Sequence, residues 1–117
     1  MQIEVPFMAD WKEKMLNDEK LCTSRSKVYG LPGDTFPAFG AAFELIHVTR
    51  MELGDVALFL HRLEGCQNPL EFQRIWMKLH PHTAWDPHQD VYPHFFLRVG
   101  SPIWIERAKN SHVVSTT

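Results

Sequence analysis

Cysteine is scarce in this chain. Cys22 and Cys66 are its two cysteines; they have no zinc-type spacing, and two thiols in an otherwise ordinary composition do not make a disulfide framework. An excess of one charge is also missing, since twelve Lys and Arg against fourteen Asp and Glu leave a formal net charge of −2. That balance argues against a strong sequence-independent grip on nucleic acid, which needs a basic face to release counterions. No apolar run approaches the roughly 18 residues of a membrane-spanning helix. The opening Met1-Gln2-Ile3-Glu4-Val5-Pro6 has neither the basic start nor the apolar stretch of a signal peptide. Neither secretion nor membrane insertion is expected, and a reduced, cytoplasmic protein is the default. Internal repeats and low-complexity tracts are absent too.

What the chain does have is a core's worth of apolar residues, 44% of 117, enough for one domain that buries roughly two thirds of its unfolded surface. Ile3 to Pro6 reads as a short strand. Ala9 to Asn17 reads as a helix with Trp11 and Met15 on its buried side, stopped at Asn17-Asp18. Leu21 to Lys27 is a strand, and the loop after it is marked by Gly30, Pro32 and Gly33. Thr35 to Arg50 carries the strongest strand signal and suits two adjacent strands with a bend at Gly40. Helical spacing from Leu53 to Leu63 delivers Glu64 at or just after a helix end. Asn68, Pro69 and Glu71 form an N-cap, a first-turn proline and most of a capping box for a helix with Phe72, Ile75, Trp76 and Leu79 on its apolar stripe. His82 to Asp90 is a loop and Val91 to Val99 a strand. Beyond residue 100, Ile103-Trp104-Ile105 packs once, and Ser111 to Thr117 is small and polar enough to fray.

One grouping near the start has no compositional explanation: Lys20, Thr23 and Arg25 just after the first helix. On a strand, residues two apart share a face, so Thr23 and Arg25 point one way and Lys20 belongs to the turn before them. From a turn a lysine can bend back over a threonine hydroxyl. Threonine becomes a nucleophile only if a base takes its proton, and lysine acts as that base only in a partly dry pocket or beside another cation, a place Arg25 could fill. On the residues alone a plainer reading stands beside this one, with two surface charges and a strand-forming threonine. Cys22, alternating with Thr23, is expected to face the core. Four histidines, His80, His82, His88 and His94, invite a metal site, but no carboxylate or cysteine stands at a zinc-type spacing from them, so no metal is assigned. Trp85, in a loop beside Pro87, either stacks on a base at a pocket rim or pins the loop to the barrel.

The stretch Asp18-Glu19-Lys20-Leu21-Cys22-Thr23-Ser24-Arg25 resembles the G-x-K-x-x-T-x-R signature of ASCH domains, small PUA-like β-barrels associated with RNA. Asp18 replaces the usual glycine, and aspartate is one of the few other residues that tolerates positive φ. The likeness continues through Tyr29 and Gly33-Asp34, where the family has a Y…GD turn. It extends through Glu64-Gly65-Cys66-Gln67-Asn68-Pro69-Leu70-Glu71-Phe72, similar to EGF-x-S-x-E-E-F with Cys66 replacing an aromatic, then Trp76, Trp85-Asp86-Pro87 and Val91 to Val99. It covers about residues 2 to 99.

The resemblance implies an α+β fold, a PUA-like open mixed β-barrel with about three packed helices over residues 1–100, followed by a partly frayed extension over 101–117. Small bacterial members hydrolyse N4-acetylcytidine with a lysine and threonine of the signature and a downstream glutamate. Matched residue to residue, these are Lys20, Thr23 and Glu64, while Arg25 would stabilise negative charge or hold substrate. The implied chemistry is amide hydrolysis of an N4-acylated cytidine or related modified nucleoside, with no cofactor. The alternatives that the resemblance carries are recognition of RNA or a nucleotide without chemistry, and ribonuclease action. The partner in each case is a modified nucleoside or RNA, not a membrane.

Overall fold

Five strands and four α-helices, described over residues 1–116 of a computed structural model with side chains through Asn110, follow one another as a curled antiparallel sheet with helices packed on it. The strands are β1 (Cys22–Arg25), β2 (Thr35–Ala38), β3 (Ala41–Val48), β4 (Met51–Glu52) and β5 (Asp90–Arg98). Their order is β1-β5-β3-β2, with β4 added at the start of β5. The architecture is α+β, a curled antiparallel half-barrel sheet with helices packed on it.

β5 comes last in sequence but lies at the centre. It pairs with β1 through Cys22↔Phe95 to Arg25↔Tyr92 and with β3 through Phe43↔Arg98 to Val48↔His94, with a register shift between Leu45 and His47 that leaves Ile46 as the extra residue of a bulge. β2 and β3 form a hairpin closed by Phe39 and Gly40, both at positive φ (53° and 78°). That is the backbone of a two-residue turn that follows the strands' right-handed twist. The opening residues differ from the sequence expectation: Ile3 to Pro6 is not a strand. A single parallel bridge, Gln2↔Thr35, ties the start of the chain to the sheet, with Ile3 N–H donating to Thr35 O at 2.8 Å and Thr35 N–H to Met1 O at 3.0 Å; Pro6 lacks the N–H that would extend a ladder, and its carbonyl accepts from Arg25 of β1 instead.

A 3₁₀ turn, Ala9–Trp11, leads into α1 (Lys12–Leu16). α2 (Leu53–Phe59) and α3 (Pro69–Leu79) pack together on one end of the sheet. α3 starts as its sequence signals, with Asn68 Oδ1 accepting the Glu71 N–H at 2.8 Å and Pro69 in the first turn. α4 (Pro102–Thr116) follows the fully buried Ser101, whose hydroxyl accepts the Trp104 N–H, and it docks on β3 as Trp104 Nε1 and Arg107 Nη1 both donate to the Glu44 carboxylate. The expected fraying of residues 111–117 lies outside the described side chains.

The core has two parts. Phe36, Phe43 and Phe96 fill the barrel with ring centroids 5.4–5.6 Å apart in stacked and edge-on pairs. Leu53, Val56, Cys66, Phe72, Trp76 and Val91 fill the space beneath α2 and α3. Trp11 packs against both clusters, so the start of α1 lies at the junction of the two cores.

Candidate functional site

The turn after α1 is built on a residue chosen for its backbone. Asp18 sits at φ 59°, the left-handed conformation that a helix C-terminus asks of glycine or a short polar residue. The reversal lets the Glu19 and Lys20 N–H groups both donate to Lys14 O (2.7 and 3.0 Å), while those of Leu21 and Cys22 both donate to Leu63 O (2.7 and 3.0 Å). Lys20 therefore sits in the turn, stitched to the segment after α2. That segment continues in helix-like turns, with Glu64 N–H bonded to Leu60 O and Cys66 N–H to His61 O. Gly65 at φ 92° is required here, since a Cβ would lie 2.9 Å from Trp11 and 3.3 Å from the Lys20 Cβ.

These two turns bring Lys20 and Glu64 together in the interior, 2% and 5% exposed. Lys20 Nζ donates to Glu64 O at 2.7 Å, to Cys22 O at 2.9 Å and to Glu64 Oε1 at 3.3 Å, and it lies 4.3 Å from the Trp11 ring centroid. Three acceptors take all three of the ammonium's donors. The other carboxylate oxygen, Glu64 Oε2, accepts the Ser24 hydroxyl at 2.6 Å and faces Cys22 Sγ at 3.7 Å. Burial, reinforced by the Glu64 charge, pushes the Cys22 thiol well above its ordinary range, so it stays protonated and able to donate.

The other face of β1 is arranged differently. Arg25 Nε donates to Thr23 Oγ1 at 3.1 Å and Nη2 to Pro6 O at 2.6 Å, with the guanidinium held 5.0 Å from the Phe7 ring and 5.4 Å from the Tyr29 ring. Burial lowers its pKa, against the smaller opposing effects of Tyr29 and Glu64. Opposite Thr23 on β5 stands His94, fully buried. Its Nε2 accepts the Tyr29 N–H at 3.0 Å and its Nδ1 donates to Tyr92 O at 2.7 Å, which settles the tautomer. Burial pushes the His94 pKa down; a second ring proton would also meet the Tyr29 N–H head on.

A cavity of about 520 Å³ opens on this arrangement and is lined by Lys20, Thr23, Arg25 and Glu64 together with Ser24 and, as walls, aromatic side chains including Phe7, Trp11, Tyr29 and Trp76. Its size suits a nucleoside-sized molecule. Trp85 is not among the lining residues; it packs against the cluster under α2 and α3. Nor do the hydrogen bonds join Lys20 to Thr23: the lysine reaches back to Cys22 O and across to Glu64, and the threonine is held by Arg25. The four histidines scatter, with His80 stacked on Trp76, His88 paired with Glu52 and His94 in the sheet. No group of three or more His, Cys, Asp or Glu among the described residues could hold a metal ion.

Two contributors escaped the sequence reading. Ser24 is polar, yet it shares a strand face with the core-facing Cys22, and that alternation was its signal. Trp11 reads as core from helical spacing and is core, but its ring also covers the Lys20 ammonium.

No family model matches the chain, and no curated protein matches it. Solved structures do. An ASCH domain from Lactobacillus crispatus JV V101 is 12% identical, aligning over 84% of this chain and 79% of its own with a TM-score of 0.58. A protein from Pyrococcus furiosus, solved by NMR in solution, is 13% identical over 86% of this chain and 100% of its own with a TM-score of 0.62. One from Enterococcus faecalis V583 is 18% identical over 77% and 70% with a TM-score of 0.57. The fold is thus ASCH-like. Among the described residues no helix is long and apolar enough to cross a membrane.

Proposed function

We propose that this chain is a small amidohydrolase acting on an N4-acylated cytidine or a related modified nucleoside bound in the cavity. The observation that supports it is the buried Lys20–Glu64 pair lining the same cavity as Thr23 and Arg25. Moving one proton from Lys20 Nζ to Glu64 Oε1, 3.3 Å away, turns an ammonium and a carboxylate into an amine and a carboxylic acid, a base and an acid side by side. The amine takes the Thr23 hydroxyl proton as Oγ1 attacks the acyl carbon. The acid protonates the exocyclic nitrogen as its bond to that carbon breaks, releasing cytidine and leaving an ester on Thr23. Water then cleaves the ester, giving the free acid and restoring the hydroxyl. Arg25, which bonds Thr23 Oγ1 through Nε, holds the substrate beside that hydroxyl and takes no part in the proton transfers.

A second reading, recognition of a nucleotide or RNA without chemistry, is favoured by one specific fact: all three Lys20 donors are already satisfied. The two separate in an assay of acyl release from N4-acetylcytidine. For the hydrolase, Lys20→Arg, which cannot lose its proton near neutrality, and Thr23→Val, which keeps shape and loses the hydroxyl, each lower turnover by about 10²-fold or more while binding persists. Near-normal hydrolysis by Lys20→Arg removes the base assignment. Binding without hydrolysis by the unaltered protein, across acylated cytidines, gives the site to recognition alone.

A further inference from the structure

The charges around the cavity do not balance. Lys20, Arg25 and Lys27 line it against a single carboxylate, Glu64, inside a chain whose overall charge is −2. Lys20 and Glu64 neutralise each other. The two remaining cations have no such partner: among the described residues no carboxylate lies within ion-pair distance of Arg25 or Lys27. Among the described residues Arg25 meets only neutral groups, the Thr23 hydroxyl through Nε, the Pro6 carbonyl through Nη2 and the side chain of Tyr29. It is also half-buried, and burying a cation without an anion is unfavourable unless something compensates it. Lys27 Nζ stands 5.2 Å from the centroid of the Tyr29 ring, the same ring that lies 5.4 Å from the Arg25 guanidinium. Two cations therefore flank one aromatic side chain of the cavity wall. An arginine whose fork is fixed by two neutral bonds and two rings is pre-organised to receive an oxyanion.

We propose that the ligand of this cavity carries an anionic group received by Arg25 and Lys27 beside Tyr29, and that this group is the phosphate ester of a cytidine nucleotide. The inference rests on the reading that the cavity takes a cytidine-type base, and it changes the substrate from a nucleoside to its phosphate. An anion on the acyl group would satisfy the same two cations, so the experiment separates the two sources.

Calorimetric titration compares N4-acetylcytidine, its 5′-monophosphate and N4-succinylcytidine on the intact protein, on Arg25→Gln and on Lys27→Gln, each checked for folding by circular dichroism and melting. The expected result is at least about tenfold tighter binding of the monophosphate than of the nucleoside at low salt. That gain should disappear in Arg25→Gln and shrink in Lys27→Gln. Equal affinity for nucleoside and nucleotide, a phosphate gain that survives Arg25→Gln, or binding of neither ligand overturns the proposal. A gain for the succinyl compound with none for the phosphate overturns it in favour of an anionic acyl group. Should Arg25→Gln not fold, Lys27→Gln, an exposed position, decides alone by keeping or losing part of the gain. Acetate release is scored in the same samples, so phosphate preference without hydrolysis refutes the hydrolase and leaves this inference, whereas equal affinities with hydrolysis do the reverse.

Discussion

The two faces of β1 put similar polar groups to opposite uses. On one, Cys22 and Ser24 turn toward Glu64, where each carboxylate oxygen and each ammonium hydrogen has a partner and the charges cancel. On the other, Thr23 and Arg25 turn toward Pro6, Phe7 and Tyr29, where a cation is held by neutral groups alone. The first face is complete as it stands. The second leaves a cation without an anion among the described residues, which is where the proposed anionic ligand would sit. A buried polar network holds its own fold together, whereas a half-buried unpaired charge points outward to a partner.

The comparison breaks most severely at Glu64. Glu64→Ala leaves the Lys20 ammonium buried without its counter-charge, and a loss of about 3–5 kcal/mol is expected in urea denaturation. The double variant Lys20→Met/Glu64→Leu, which removes both charges, should recover much of that loss. If the double variant is as unstable as the single one, the pair is not what holds the floor of the site. Ser24→Ala is the next step down, because Oε2 then keeps only the Cys22 thiol; about 1–3 kcal/mol should be lost. On the proposed hydrolase reading acyl release should fall with it, since the carboxylate is no longer aimed by two donors.

Acid tests the seam between the faces. The folded state holds His94 below its ordinary value of 6.5, first of all by burial, so the unfolded chain binds more protons as the pH drops. Stability from this residue is fully present above about 6.5 and is lost as the pH falls toward the depressed folded-state value, with a slope of at most about 1.4 kcal/mol per pH unit. His88, raised by its hydrogen bond to Glu52, works in the opposite direction but is solvent-exposed and screened. Denaturation measured from pH 8 to 5 should show a His94 inflection that disappears in His94→Asn. Since His94 Nε2 accepts the Tyr29 N–H, the same acidification should loosen the loop carrying Tyr29, read as faster amide exchange there. The smallest effect on stability falls on the open face: Arg25→Gln should change it by no more than about 1 kcal/mol, its consequence appearing in ligand binding instead. A large destabilisation by Arg25→Gln would place that arginine in the same structural class as Lys20.

Much of this was legible in sequence wherever the determinant was local. The aspartate standing for glycine before the signature does adopt positive φ, the Asn68-Pro69 start of α3 is capped as its residues require, and the strand-rich stretch from Thr35 to Arg50 does divide at Gly40. Thr23 and Arg25 share a face because strand geometry has a period of two. Where a reading depended on distant partners it went less well. Ile3 to Pro6 has strand-forming residues but only a bridge at the chain's start, Trp85 lies in a loop that could rim the pocket but packs under α3, and the role of Ser24 depends on a carboxylate 40 residues away.

Backbone conformations, caps, periodicities and the order of elements depend on residues within a turn or two of each other, so the chain determines them by itself. Among the described residues no carboxylate pairs with Arg25, and that Lys20 spends its protons on Glu64 rather than on Thr23 and that Ser24 aims the same carboxylate are outcomes of contacts spanning some 40 residues. They exist only because the Leu21 and Cys22 N–H groups bond to Leu63 O and Trp11 sits where two cores meet. Which charges cancel and which remain open is a matter of ångströms and burial, and those distances come into being only when the sheet has curled and α2 has packed against it.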